Sequence, residues 1–157
     1  MKRIKLLSVY EAWEYVMDHY YPFGLEEFAK RTDTYAMISI QDTHTGGFGF
    51  EFVPNNFCEG VLTLYFDDTV KEVEGAVLFD EEMADRIIRF VLEQDRAETL
   101  VIHCYGGQSR SRAVAAFIAY MLGKDNSRYF AKGNPNEHVY NTLLKVWHEK
   151  YAAPAQN

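Results

Sequence analysis

The run Val101-Ile-His-Cys-Tyr-Gly-Gly-Gln-Ser-Arg-Ser-Arg112 constrains this chain more than any other stretch. An apolar strand from Thr99 to His103 feeds a turn containing Gly106 and Gly107, and an apolar run at helical spacing, Ser111 to Leu122, begins at once. That order sets a helix N-terminus over Cys104. First-turn N–H groups have no intrahelical partner, and the helix dipole adds partial positive charge there, so the joint suits an anion and favours a thiolate. Five residues separate Cys104 from Arg110, a length that wraps one tetrahedral oxyanion in amides and closes the ring with a guanidinium. Arginine's planar fork holds two oxygens at once and stays charged at any working pH. Ser111 brings a hydroxyl for the sulfur in the first helical turn. The plainer alternative is a buried structural cysteine in a strand-turn-helix joint.

The pattern His103-Cys104-x-x-Gly107-x-Ser109-Arg110-Ser111 resembles the signature of the cysteine-dependent protein tyrosine phosphatases, closest to their dual-specificity branch. The resemblance implies a phosphatase acting through a phosphocysteine intermediate without metal or other cofactor. It makes Cys104, Arg110 and Ser111 catalytic, gives the phosphate to the loop Tyr105, Gly106, Gly107, Gln108 and Ser109 with Arg110, and places His103 behind the loop to orient it. The family also carries a general-acid Asp just past an earlier strand. Val61 to Phe66 reads as such a strand and ends in Asp67-Asp68-Thr69. In an open parallel sheet the strand C-terminal ends share one rim, so an Asp there and Cys104 can face one crevice. Asp68 takes the matching place. The usual Pro of that strand end is Tyr65 here, which leaves Asp67 as an alternative, and either carboxylate can instead cap a turn.

The rest of the chain is read around these two sites. Its 157 residues suit one domain. A net charge of -7 argues against nucleic-acid or anionic-membrane binding. The loop contains no Lys, so a phosphorylated protein or small aryl phosphomonoester fits better than a polyphosphorylated inositol lipid. Two cysteines make neither a disulfide framework nor a metal cluster and fit a reducing, cytoplasmic setting; Cys58 pairing with Cys104 under oxidation is a further possibility beside plain packing. Met1 to Ser8 lacks a signal peptide's apolar core, and no apolar run is long enough to span a bilayer. Two other functions use the same kind of loop. One is a phosphate-recognition module without a positioned acid; the other is a rhodanese-like sulfurtransferase, against which Ser111 and the Asp pair argue.

The pattern of elements predicts an α/β fold with a central, mostly parallel sheet of about four to five strands flanked by helices. Ile4 to Val9 and Tyr35 to Ile40 read as further strands. Tyr10 to Tyr20 reads as a helix with Ala12, Trp13, Val16 and Met17 as core; Trp13 and Tyr20 could line a pocket, but aromatics at this spacing are more often packing residues. Pro22-Phe23-Gly24 breaks it, and Leu25 to Arg31 holds at most another turn or two. Asp42 to Glu59 is a long loop, a wall or lid for the site, with Gly46, Gly47 and Gly49 as a turn and His44 solvated. Phe79 to Gln94 is a helix capped by Asp80, with Met83, Ile87, Phe90 and Val91 inward. Asn134-Pro135-Asn136-Glu137 starts the last helix with Asn134 as cap, and Val139, Leu143, Val146 and Trp147 form its buried stripe. Asn136 and His138 could reach the site, although capping explains Asn134 and solvent exposure explains His138.

Overall fold

Near-continuous apolar strands need cover on both faces, and the fold supplies it. The computed structural model describes residues 3–19, 31–43 and 45–152. The readings on Tyr20, on Pro22 to Gly24, on the segment from Leu25 and on His44 fall outside them. Four strands, β1 (Arg3–Leu7), β2 (Tyr35–Gln41), β3 (Cys58–Tyr65) and β4 (Thr99–His103), form one sheet in the order β1-β4-β2-β3. Every pairing is parallel. All residues of β2 and β4 are buried, as central strands of a parallel sheet must be.

The period-two alternation sorts side chains between two layers. Ala36, Ile38, Ile40, Leu100 and Ile102 pack with α2 (Glu81–Glu93), α3 (Arg110–Met121) and α5 (Glu137–Val146). Tyr35, Met37 and Val101 face the other way, onto α1 (Val9–Met17) and the loop residue Phe52. Helix α3 is buried along most of its length, so the segment after the cysteine is held from every side. A short α4 (Arg128–Ala131) precedes α5, which continues as a π-helical turn, Trp147–Tyr151.

Helix α1 starts at Val9 because Ser8 caps it, accepting from the Glu11 amide at 3.1 Å while Glu11 reaches back to the Ser8 amide. Its buried side is Val9, Ala12 and Tyr15. Trp13 is therefore not core: it is 50% exposed and rests edge-on against Phe50.

Asn134 does not cap α5. Its amide and that of Asn136 donate to the Gln108 and Ser109 carbonyls at 2.9 and 3.1 Å, which holds 134–136 alongside the cysteine loop and delays the helix to Glu137. Asn136 is the cap, accepting from Val139 N at 3.0 Å. His138 is not simply solvated either, since its Nε2 lies 2.7 Å from the Phe79 carbonyl.

At the N-terminal rim of the sheet Asp33 gathers Tyr15, Arg31 and the Thr99 hydroxyl, with His19 bonded to its carbonyl. Cys58 also lies at this rim, beside Tyr35 and so level with Thr99. Cys104 follows the opposite end of β4. A separation of roughly 15 Å along the strands is far beyond disulfide reach, so pairing of Cys58 with Cys104 is ruled out in the fold. Burial pushes the Cys58 thiol up to about 11, as expected of a packing residue.

Candidate active site

Three strands end on one rim, and each delivers a candidate functional side chain there. Past β4 the chain turns sharply at Gly107, whose φ is +74° and where a Cβ would stand 3.2 Å from the Leu7 backbone. Only glycine meets both demands at low cost. The turn brings the Gly107 amide to 3.3 Å from Cys104 Sγ, and the Ser111 hydroxyl lies 3.0 Å from the same sulfur. Cys104 is 2% exposed, at the base of the loop.

The loop is tied from outside through its carbonyls. Cys104 O is bonded to His103 Nδ1, Tyr105 O accepts from Val9 N, and Gln108 O and Ser109 O accept from Asn134 N and Asn136 N. In a trans peptide the N–H points opposite to the carbonyl. The amides of Tyr105, Gly106, Ser109 and Arg110 are thus turned away from those anchors. Tyr105, Gly106 and Gln108 are exposed, and Gly107 is buried.

Arg110 is buried at the start of α3. Its Nη1 donates to the Phe66 carbonyl at 2.8 Å and to Asp42 at 2.6 Å. Its Nε is buried without a hydrogen-bond partner among the described residues. The guanidinium is therefore oriented through Nη1, which leaves Nε buried and unpaired among the described residues.

His103 is fully buried behind the loop, with Nε2 2.7 Å from the Ser39 hydroxyl and Nδ1 3.0 Å from the Cys104 carbonyl. Burial, reinforced by the Arg110 charge, pushes it down to about 4 against the opposing pull of the Cys104 carbonyl. It is therefore neutral near pH 7, with Nδ1–H donating and Nε2 accepting.

The two aspartates after β3 have separate jobs. Asp67 is buried and accepts from Thr43 N at 3.0 Å, from the Thr43 hydroxyl and from Val77 N at 2.8 Å, which ties two loops together. Asp68 is exposed and accepts from Ser109 Oγ at 2.7 Å and Asn136 Nδ2 at 2.8 Å. Asp68 is thus the carboxylate attached to the cysteine loop. Asn136, considered above for the site, holds it there while also donating to the Thr69 carbonyl at 3.0 Å.

Asp42 and Ser39 were not expected. Asp42 follows β2 at the same rim, so the strand-end rule that located Asp68 could have found it. Ser39 needed the β2–β4 register, which sets it opposite His103. Residues 45–57 form a wall: Gln41 bonds Phe48 N at 2.8 Å and the Phe50 carbonyl at 3.0 Å, setting both rings near Tyr105. Arg112 lies against Gly133. Among the described residues no cluster of His, Cys, Asp or Glu is arranged to hold a metal ion, and no helix is long and apolar enough to cross a membrane.

No protein-family model matches the sequence, and no curated protein does. Solved structures do match. The human tyrosine phosphatase-like serine/threonine/tyrosine-interacting protein aligns at a TM-score of 0.50 and 20% identity, over 86% of this chain and 89% of its own. This chain has the fold of the cysteine-dependent tyrosine phosphatases. OH1 from the Orf virus, described as a tyrosine phosphatase, aligns at a TM-score of 0.50 and 12% identity, over 95% of this chain and 83% of its own. Within the phosphatase fold, the cysteine loop sits between β4 and α3, and the Asp67-Asp68 segment follows β3.

Proposed function

We propose that the protein is a phosphatase that hydrolyses phosphotyrosine or a related phosphomonoester through a phosphocysteine intermediate. The observation that carries this reading is the hydrogen-bonded link from Asp68 through Ser109 to the loop whose Gly107 amide reaches the Cys104 sulfur. A fold shared with one protein named a phosphatase and another named only phosphatase-like leaves activity to the side chains. Here a nucleophile and a guanidinium on one loop, with a carboxyl hydrogen-bonded to that loop, favour catalysis over bare phosphate recognition.

In the first step Cys104, as thiolate, attacks phosphorus in line. The S–P bond forms, the P–O bond to the leaving group breaks, and protonated Asp68 gives its proton to the departing oxygen. Amides of the loop and the Arg110 guanidinium hold the equatorial oxygens. In the second step water attacks the phosphocysteine, ionised Asp68 takes its proton, and the thiolate leaves. Ser111 and the Gly107 amide stabilise sulfur when it carries charge at the start and the end. Ser39 and His103 fix the Cys104 carbonyl, and Asp42 fixes Arg110. The absence of Lys from the loop favours an aryl phosphate or phosphotyrosine over a polyphosphorylated headgroup.

The test is release of phosphate from p-nitrophenyl phosphate. Turnover is expected in the wild type, with inhibition by vanadate, and Cys104→Ser should lower kcat to background while retaining substrate capture. Thiosulfate should give no thiocyanate with cyanide. Activity persisting in Cys104→Ser, or thiosulfate turnover, would remove this reading.

A further inference from the structure

Next to the cysteine loop lies an open cleft of about 520 Å³ lined by Val9, Tyr10, Trp13, Phe48, Phe50 and Tyr105. Its volume falls in the range of about 300–1,000 Å³ that organic ligands occupy. Three of its rings stand largely in water: Tyr10 is 70% exposed, Tyr105 54% and Trp13 50%. Tyr10 and Trp13 lie off the packed side of α1, which is supplied by Val9, Ala12 and Tyr15. Contiguous exposed apolar surface of this kind marks a place of contact.

The cleft is also built rather than accidental. Trp13 meets Phe50 edge-on at 5.5 Å, Phe50 meets Phe52 at 5.2 Å, and Tyr105 contacts Phe48 and Tyr10 at 6.1 Å each. The Gln41 side chain pins the backbone at Phe48 and Phe50. Ring-to-ring contacts of this kind give the surface a defined shape without an occupant.

Tyr105 decides what that occupant is attached to. It follows Cys104 directly and belongs to both loop and cleft, whereas the other five lining residues come from α1 and residues 45–57. Asp68 is bound at the opposite, Ser109, end of the loop. A chain lying across the cradle therefore meets the acid at one end and the aromatic cleft at the other. The lining holds no Lys or Arg, and the molecule carries a net charge of -7. Both features disfavour an anionic lipid surface.

We propose that the cleft is a substrate subsite that takes a bulky apolar side chain flanking the phosphotyrosine of a protein substrate. This rests on the phosphatase reading above, and the test separates the two.

Phosphotyrosine peptides identical except for Leu, Phe or Ser at the positions flanking the phosphotyrosine are compared for KM and kcat. The best Leu or Phe peptide should show a KM about tenfold below its Ser counterpart at similar kcat, about 1.4 kcal/mol of binding. Trp13→Ala should reduce that preference to under about twofold. Tyr10→Glu, at a position too exposed to disturb the core, should do the same by setting a charge in the cleft. Equal KM values across the peptides, a preference that survives both substitutions, or vesicles of a phosphorylated lipid turned over ahead of every peptide would overturn the proposal. If no substrate releases phosphate, the same peptides are read by fluorescence anisotropy. A tenfold difference in Kd that Tyr10→Glu abolishes then upholds the cleft while the catalytic reading falls, and equal Kd values overturn the cleft itself.

Discussion

Asp67 and Asp68 are adjacent in the chain and chemically identical, yet their surroundings assign them different work. Asp67→Ala leaves the amides of Thr43 and Val77 without their carboxylate acceptor, and a stranded buried donor costs about 1–3 kcal/mol. Its urea midpoint should fall clearly. Asp68→Ala exposes its partners to water and should leave the midpoint nearly unchanged. Its cost should appear in chemistry, with kcat for an alkyl phosphate falling about 10²–10⁴-fold and for p-nitrophenyl phosphate much less, because nitrophenolate leaves without a proton. Equal losses on both substrates would show that Asp68 is not the acid. Sequence could bring both residues to the rim and favoured Asp68 by its matching place, but it left Asp67 as an alternative. The choice depends on Thr43, Val77, Ser109 and Asn136, which approach only through long-range folding.

Among the elements, the strand-turn-helix joint was legible from its residues alone. Strand β4 has the predicted bounds, Thr99 to His103, and α3 begins one residue before the expected Ser111. Local signals suffice there because apolar runs flank a glycine turn. The start of α5 was misread for a complementary reason. Asn134-Pro135 is a sound local capping signal, but the 134–136 backbone is claimed by the cysteine loop, and a bond to a distant element outweighs a preference worth about 1 kcal/mol. Trp13 was misplaced because helical spacing identifies a stripe without saying how wide the buried part is. Gly107→Ala tests the joint as an element. A Cβ at positive φ against the Leu7 carbonyl would push the loop off β1, so turnover should collapse with a stability loss of about 1–3 kcal/mol. Gly106→Ala, where nothing presses on the added carbon beyond the side chain of Gln108 at 4.0 Å, should retain far more of both.

On the scale of the whole molecule, stability should depend on pH through His103. Its folded value is about 4 against an ordinary 6.5. Between those values the unfolded chain takes up a proton that the folded chain refuses, so stability is fully present above about pH 6.5 and drains away as pH falls towards 4. The span corresponds to at most about 3 kcal/mol. The urea midpoint of the wild type should drop across this window more than that of His103→Asn, which has no such proton to refuse. Parallel slopes for the two proteins would mean that His103 is not the group responsible.

Because all four strands run the same way, the sheet has a working rim and an anchoring rim. Thiol, guanidinium and carboxyl crowd the first; Asp33 with Tyr15, His19, Arg31 and Thr99 ties down the second. On the proposed function, replacements at Trp13, Asp68 or Phe48 should retune what is bound or how fast it reacts while the chain stays folded, and damage around Asp33 should melt the molecule without altering its selectivity. Evolution, or an engineer, has two nearly independent dials set at opposite ends of one sheet.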